Sequence, residues 1–273
     1  MFIRSAIAVA VAAPILFAAP AAHAAPVDDL LAALGIPRVI EIMREEGLNY
    51  AETMGADMGF AGSGSDWASV AGRIYDTDRM EESMRAGFAE SLGDRDLGPL
   101  VSFFNEAPGD RIVELEIEAR EAMVAPEAEE AAREAYRARA EEGGDRLEQI
   151  DRFVAAGDLV EQNVTGALNA SLAFYEGLVD GGALEMSEDE ILRDVWAQEG
   201  ETRADTEEWL YAYLLLAYEP LSGDTLETYV DFGESEDGRA LNRALFAGFN
   251  DMYNDLSYAM GLAAARQMAG TEL

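Results

Sequence analysis

The chain predicts an all-α fold, a helical bundle built from two related halves, and three observations carry that prediction. Apolar residues recur at i, i+3, i+4 and i+7 along most of the sequence, and no stretch keeps the strict alternation of a strand. Helix punctuation, in the form of acidic or hydroxylated starts and glycine stops, separates the periodic segments. The third observation is internal. Ser91 to Arg120 (SLGDRDLGPLVSFFNEAPGDRIVELEIEAR) aligns without a gap on Pro220 to Phe249 (PLSGDTLETYVDFGESEDGRALNRALFAGF) at an offset of 129. Leu92, Leu97, Val101, Phe103 and Gly109 meet Leu221, Leu226, Val230, Phe232 and Gly238, while Ile112 meets Leu241. The order of features matters more than the identities: acidic start, apolar stripe, aromatic residue, acidic turn, glycine, second apolar stripe. Each half thus reads as carrying a helix-turn-helix hairpin.

In chain order, Met1–Arg4 supplies a positive charge and Ser5–Ala19 an apolar run, and Ala22-His23-Ala24 offers small residues around a cleavage point. This is the pattern of a Sec-type signal peptide, residues 1–24, and it predicts a periplasmic location. The alternative is an N-terminal anchor retained in the inner membrane. The N-terminal half, 25–143, opens with Pro26–Ile36 and stops at Gly35, after which Pro37 begins the next helix. Ile40, Met43, Ala51 and Met54 mark its apolar face. Gly62–Ser65 reads as a loop, Asp66 as the cap of a helix holding Trp67 and Ile74, and Thr77 as the cap of the next. The first hairpin follows, with Leu97, Leu100, Val101 and Phe104 on one face and Ile112, Leu115, Ala119 and Met123 on its return helix. Val124–Gly144 is nearly all Ala, Glu and Arg. It predicts an exposed helix with Glu130–Arg133 and Glu134–Arg137 pairs.

Gly143-Gly144 divides the halves, and the C-terminal half spans 144–273. Its first long helix has a large apolar stripe (Val160, Val164, Leu168, Tyr175) and a small one (Gly166, Ala170, Ala173, Gly177). The small stripe predicts close approach of a neighbouring helix. Ser187 and Glu190 form a capping-box pattern before Ile191, Val195 and Trp196. Trp209, Leu210, Tyr213, Leu214 and Ala217 face inward on the next helix, and Leu241, Leu245, Phe249, Met252 and Leu256 on the last.

Composition restricts the chemistry. All 19 basic residues are Arg, Cys is absent, and the one His is His23, within the predicted leader. A His base, a Cys nucleophile, a Lys Schiff base and His/Cys zinc sites are therefore excluded from the mature chain. No cofactor motif occurs. The net charge of −35 opposes binding to nucleic acid and to anionic membrane surfaces. A solvated acidic surface suited to saline surroundings explains it, with a docking face for a basic partner or for divalent cations as the alternative.

Leu-Leu-Ala-Ala-Leu-Gly-Ile-Pro (residues 30–37), the two hairpins, and segments such as AGDLVEQNVTGALNASLAFYEGL resemble the DUF2059 family of exported bacterial proteins, in its longer alphaproteobacterial form. That resemblance covers essentially the whole mature chain and implies an exported helical protein without an assigned activity. The family's hairpin carries Ser-Pro-x-Gly. Here the first turn has Glu106, Pro108 and Gly109, and the second has Ser235 and Gly238 without the proline. Ser235 is placed to cap the return helix, and the glycines to admit close backbone contact, so Gly109→Leu should cost more than Gly109→Ala.

Candidate sites are few. Glu114 and Glu118 share a face, and Glu116 is expected to point away and pair with Arg120 at i+4, all on a solvated surface. Asn163, beside the small stripe, is expected to be buried in an interhelical hydrogen bond or to contact a ligand. Asn163, Trp196, Trp209 and Tyr213 together define a possible ligand cleft within the C-terminal half. No catalytic or metal-binding residues are expected. The leading functional expectation is a non-catalytic protein acting through protein–protein or envelope interactions, with an unidentified protein partner. A carrier for a small apolar ligand comes second, and a carboxylate-dependent hydrolase third.

Overall fold

The computed structural model describes residues 24–60 and 67–271, and among them the chain is helical without strands. The helices are α1 (Ala24–Ala33), α2 (Ile36–Asp57), α3 (Trp67–Ile74), α4 (Thr77–Leu92), α5 (Gly98–Asn105), α6 (Gly109–Met123) and α7 (Pro126–Glu142). They continue as α8 (Asp145–Gly157), α9 (Leu159–Asp180), α10 (Glu188–Ala197), α11 (Glu199–Tyr218), α12 (Gly223–Glu234) and α13 (Glu236–Thr271). The leader up to His23, the Gly62–Ser65 loop and the expected cap Asp66 lie outside the described residues. No helix among those described is long and apolar enough to cross a membrane.

The bundle is assembled on α13, 36 residues long, which packs most extensively on α9 and α4. Glycines permit both contacts. A methyl group placed on Gly248 would fall closer than 3.0 Å to the Met84 carbonyl of α4, and one on Gly87 would fall 3.1 Å from Gly248 Cα. On the other flank, a methyl on Gly177 would strike the Tyr258 carbonyl, and one on Gly261 the Phe174 carbonyl. The backbones therefore touch directly, which no larger residue allows. Gly166 meets Asn250 and Gly177 meets Gly261, in constant register, so α9 and α13 run parallel. Ser83 donates to Asp255 (2.9 Å) and Arg95 to Asp237 (2.7 Å), the reversed order of an antiparallel pair formed by α4 and α13.

The two hairpin turns share one close approach of glycine to a phenylalanine carbonyl. A Cβ on Gly109 would collide with the Phe103 carbonyl, and one on Gly238 with the Phe232 carbonyl. In the second turn Ser235 Oγ donates to the Phe232 carbonyl (2.6 Å) and accepts from the Gly238 amide (3.0 Å), which caps α13 as expected. The hairpins meet through Phe103 and Phe232, whose rings stack at 4.1 Å and 9°. Phe104 meets Phe232 edge-on at 5.4 Å. Such ring pairs each contribute about 0.5–1.5 kcal/mol beyond their burial. One contiguous core runs from Val27 to Ala265 and draws on both halves.

Two expectations about local contacts need correction. Asp76, not Thr77, caps α4 by accepting the Arg79 amide at 3.1 Å, since its carboxylate reaches the N3 position while Thr77 already has helical geometry. The arginines of α7 reach beyond their own helix. Arg133 engages Glu129 (2.8 Å), Asp205 (3.1 Å) and Glu208 (3.3 Å), and Arg137 engages Glu130 (3.1 Å) and Glu208 (3.0 Å). With Tyr136 stacked on Tyr211 at 5.2 Å, α7 is a packed partner of α11, because its small Ala132 face lets the acidic edge of α11 come within reach of guanidinium groups. The close backbone contact expected at Gly109 is present, and its steric limit arises at Cβ itself, so alanine is already too large.

Gly109→Ala and Gly238→Ala should each lower stability by about 1–3 kcal/mol, the usual cost of overpacking. Gly72→Ala, in open space within α3, should be neutral or stabilising by up to about 1 kcal/mol. Chemical denaturation checks this; a small effect at Gly109 and Gly238, matching that at Gly72, would refute the close-contact account.

Candidate functional site

A cavity of about 680 Å³ opens where α13 loses direct backbone contact with α9. Its apolar walls come from both halves: Ile36, Val39 and Met43 of α2, Phe104 of α5, Val113 and Ile117 of α6, and Leu241, Leu245, Phe246 and Phe249 of α13. α9 adds Gly166, Ala167 and Ala170, and α11 adds Thr206, Trp209 and Tyr213. Asn163, Ala167 and Asp205 are exposed and form the rim toward solvent. The half-buried state of Leu245, Phe246 and Phe249 has a simple cause: they pack against the core on one side and line the cavity on the other. A second cavity of about 490 Å³ shares Met43, Ala170 and Tyr253 with the first, so these three form the partition between them.

One carboxyl group stands in this apolar wall. Glu116 lies on the buried face of α6, between Ile112, Leu115 and Ala119. Its Oε1 accepts from Tyr218 Oη at 2.6 Å and from Tyr229 Oη at 3.2 Å, and its main-chain carbonyl accepts from Tyr213 Oη at 3.2 Å. The tyrosines are held in turn by rings. Tyr218 and Tyr229 meet edge-on at 5.9 Å, Phe153 packs against both, and Tyr213 stacks on Trp209 at 5.3 Å. Arg146 fixes the end of α11 by donating to the carbonyls of Tyr218 (3.0 Å) and Leu221 (2.6 Å).

The expected Glu116–Arg120 pair does not form. Arg120 turns to Glu46 of α2 in a two-pronged bond, Nη2–Oε2 2.8 Å and Nε–Oε1 3.2 Å. The remaining accessible surface of Glu116 faces the cavity, while protein surrounds the side chain. Burial pushes its carboxyl above the ordinary value of 4.5, and the hydroxyls of Tyr218 and Tyr229 pull it partly back. Burial and the neighbouring Glu116 also raise Tyr218 and Tyr229 well above the usual phenol range.

The residues anticipated for a ligand cleft divide. Trp209, Tyr213 and Asn163 all line the cavity. Asn163 is exposed rather than buried, and its amide donates to the Leu159 carbonyl one turn back at 2.8 Å, within its own helix. Trp196 is 64% exposed and lies away from the cavity, because Ile191 and Val195 occupy the buried face of α10 and turn Leu192 and Trp196 outward. The cleft is also not confined to the C-terminal half, since α2, α5 and α6 supply much of its wall. Phe246 was missed, and Glu116, expected on a solvated face, stands in the cavity wall instead. For Glu116 a signal existed: it stands four residues after Ile112 and three before Ala119, within the apolar stripe.

Among the described residues no three His, Cys, Asp or Glu side chains gather as a metal site. Comparison with protein-family models, curated proteins and solved structures finds no match to this chain.

Glu116→Gln should reveal the cost of the buried carboxyl. Below pH 4.5 the glutamate is protonated in both the folded and unfolded states, and its stability contribution is fully present. As pH rises through the elevated folded value, the folded state must ionise the group in dense surroundings and stability is lost. Tyr213, Tyr218, Tyr229 and Arg120, which face this region, do not change charge between pH 4 and 8, and glutamine never ionises. The Tm of the variant relative to wild type should therefore climb with pH from about 4.5 upward. A pH-independent difference would contradict it.

Proposed function

We propose that this is an exported, non-catalytic binding protein that holds a small apolar molecule in the cavity between its two halves. The observation that carries this reading is the roughly 680 Å³ space with apolar walls and few convergent polar groups. Cavities of that size and character suit a drug-sized ligand. The reading moves the carrier ahead of the protein–protein role that the sequence favoured, because the apolar cavity supports it. Export rests on the leader pattern in the first 24 residues, and membership of DUF2059 rests on the motifs quoted above.

The duplicated hairpin belongs to the same proposal. The Gly109–Phe103 and Gly238–Phe232 approaches are alike, and the aligned phenylalanines stack on each other. We read the halves as two copies of one hairpin that meet at their turns, with the cavity enclosed where α6 and α13, the return helices, diverge.

Titration with the neutral apolar dye N-phenyl-1-naphthylamine tests the reading. One dye per chain should bind with enhanced fluorescence, and Leu245→Trp, which fills the cavity, should weaken binding at least tenfold, about 1.4 kcal/mol. Equal binding by the variant, or none by wild type, would remove the cavity as the site.

A further inference from the structure

The polar end of the cavity selects among ligands, an inference that rests on the binding role proposed above. Three charged side chains line the space: Glu116, Arg120 and Asp205. Arg120 is occupied by Glu46 through both prongs, and Asp205 is paired with Arg133 at 3.1 Å on the exposed rim. Glu116 alone has no arginine partner. Both tyrosine hydroxyls converge on Oε1, leaving Oε2 without a protein donor and open to the cavity.

We propose that the ligand is an apolar amine whose ammonium group binds Glu116. An ammonium donor supplies the charge and the hydrogen bond that Oε2 lacks, and charge-assisted bonds in such surroundings are strong. Tyr213, Tyr229 and Trp209 line the same space, and an aromatic lining favours a cation over an anion. A carboxylate ligand meets the opposite situation. It would approach an unpaired carboxyl, and the guanidinium that would receive it already holds Glu46. A plain alcohol can donate to Oε2 but leaves the charge unmatched. The apolar body of the amine would lie along Leu245, Phe246 and Phe249, and its head would reach inward past the rim.

Three probes with one body and different heads decide the matter: decylamine, 1-decanol and decanoate, titrated calorimetrically into the purified protein at pH 7 in 0.15 M and in 0.5 M sodium chloride. Decylamine should bind about tenfold more tightly than decanol, and decanoate more weakly than either, a step of about 1.4 kcal/mol per tenfold. The preference should persist at the higher salt, where attraction to the acidic surface is screened. Glu116→Gln should erase the advantage of the amine while leaving decanol within about twofold. Equal binding of amine and alcohol, tighter binding of decanoate, or a preference abolished by salt would overturn the amine assignment and leave the cavity reading standing. No binding by any of the three would overturn both. The wild-type series decides even if the variant fails to fold.

Discussion

Direct backbone contact between α13 and its two flanking helices governs the architecture. Gly87 and Gly248 close the approach to α4, and Gly177 and Gly261 the approach to α9. Packing at that distance fixes the register of a 36-residue helix along much of its length. Toward its N-terminal end the contact with α9 passes instead through a side chain, Asn250 against Gly166, and the large residues Leu245, Phe246 and Phe249 face open space. The cavity is what remains when helices clamped at one level are held apart at another.

The carboxyl of Glu116 gives that cavity its chemistry. An isolated charge in an apolar wall is costly, and a protein normally pairs it or keeps it neutral. Here two tyrosine hydroxyls satisfy one oxygen, and their rings belong to the aromatic cluster that joins the hairpins through Phe153, Tyr229 and Phe232. The same rings that lock the turns together thus hold the hydroxyls on Glu116. Fold stability and the polarity of the cavity share one set of side chains.

Helical periodicity made most of the fold legible in the sequence. Ile40, Met43, Ile112, Leu115, Met252 and Leu256 are all buried where their spacing placed them, and the small stripe of α9 does receive a close neighbour. Local rules served for the Ser187–Glu190 capping box and the Ser235 cap. They failed where a side chain had a choice of partners. Glu116 and Arg120 satisfy i+4 spacing, yet tertiary packing gave Arg120 to Glu46 and Glu116 to tyrosines about a hundred residues distant. Trp209 and Trp196 look alike in sequence, and only the burial of Val195 reveals that Trp196 points outward. A cavity has no local signature at all, since it arises from helices that come together by tertiary packing.

The most direct test of the account is a ¹³C NMR pH titration of the Glu116 side-chain carbonyl carbon, assigned by comparison with Glu116→Gln. The account predicts a midpoint clearly above 4.5 in the free protein, displaced downward when decylamine is present, because an ammonium neighbour favours the ionised form. A Glu116 resonance that titrates with the surface glutamates and ignores the amine would contradict it.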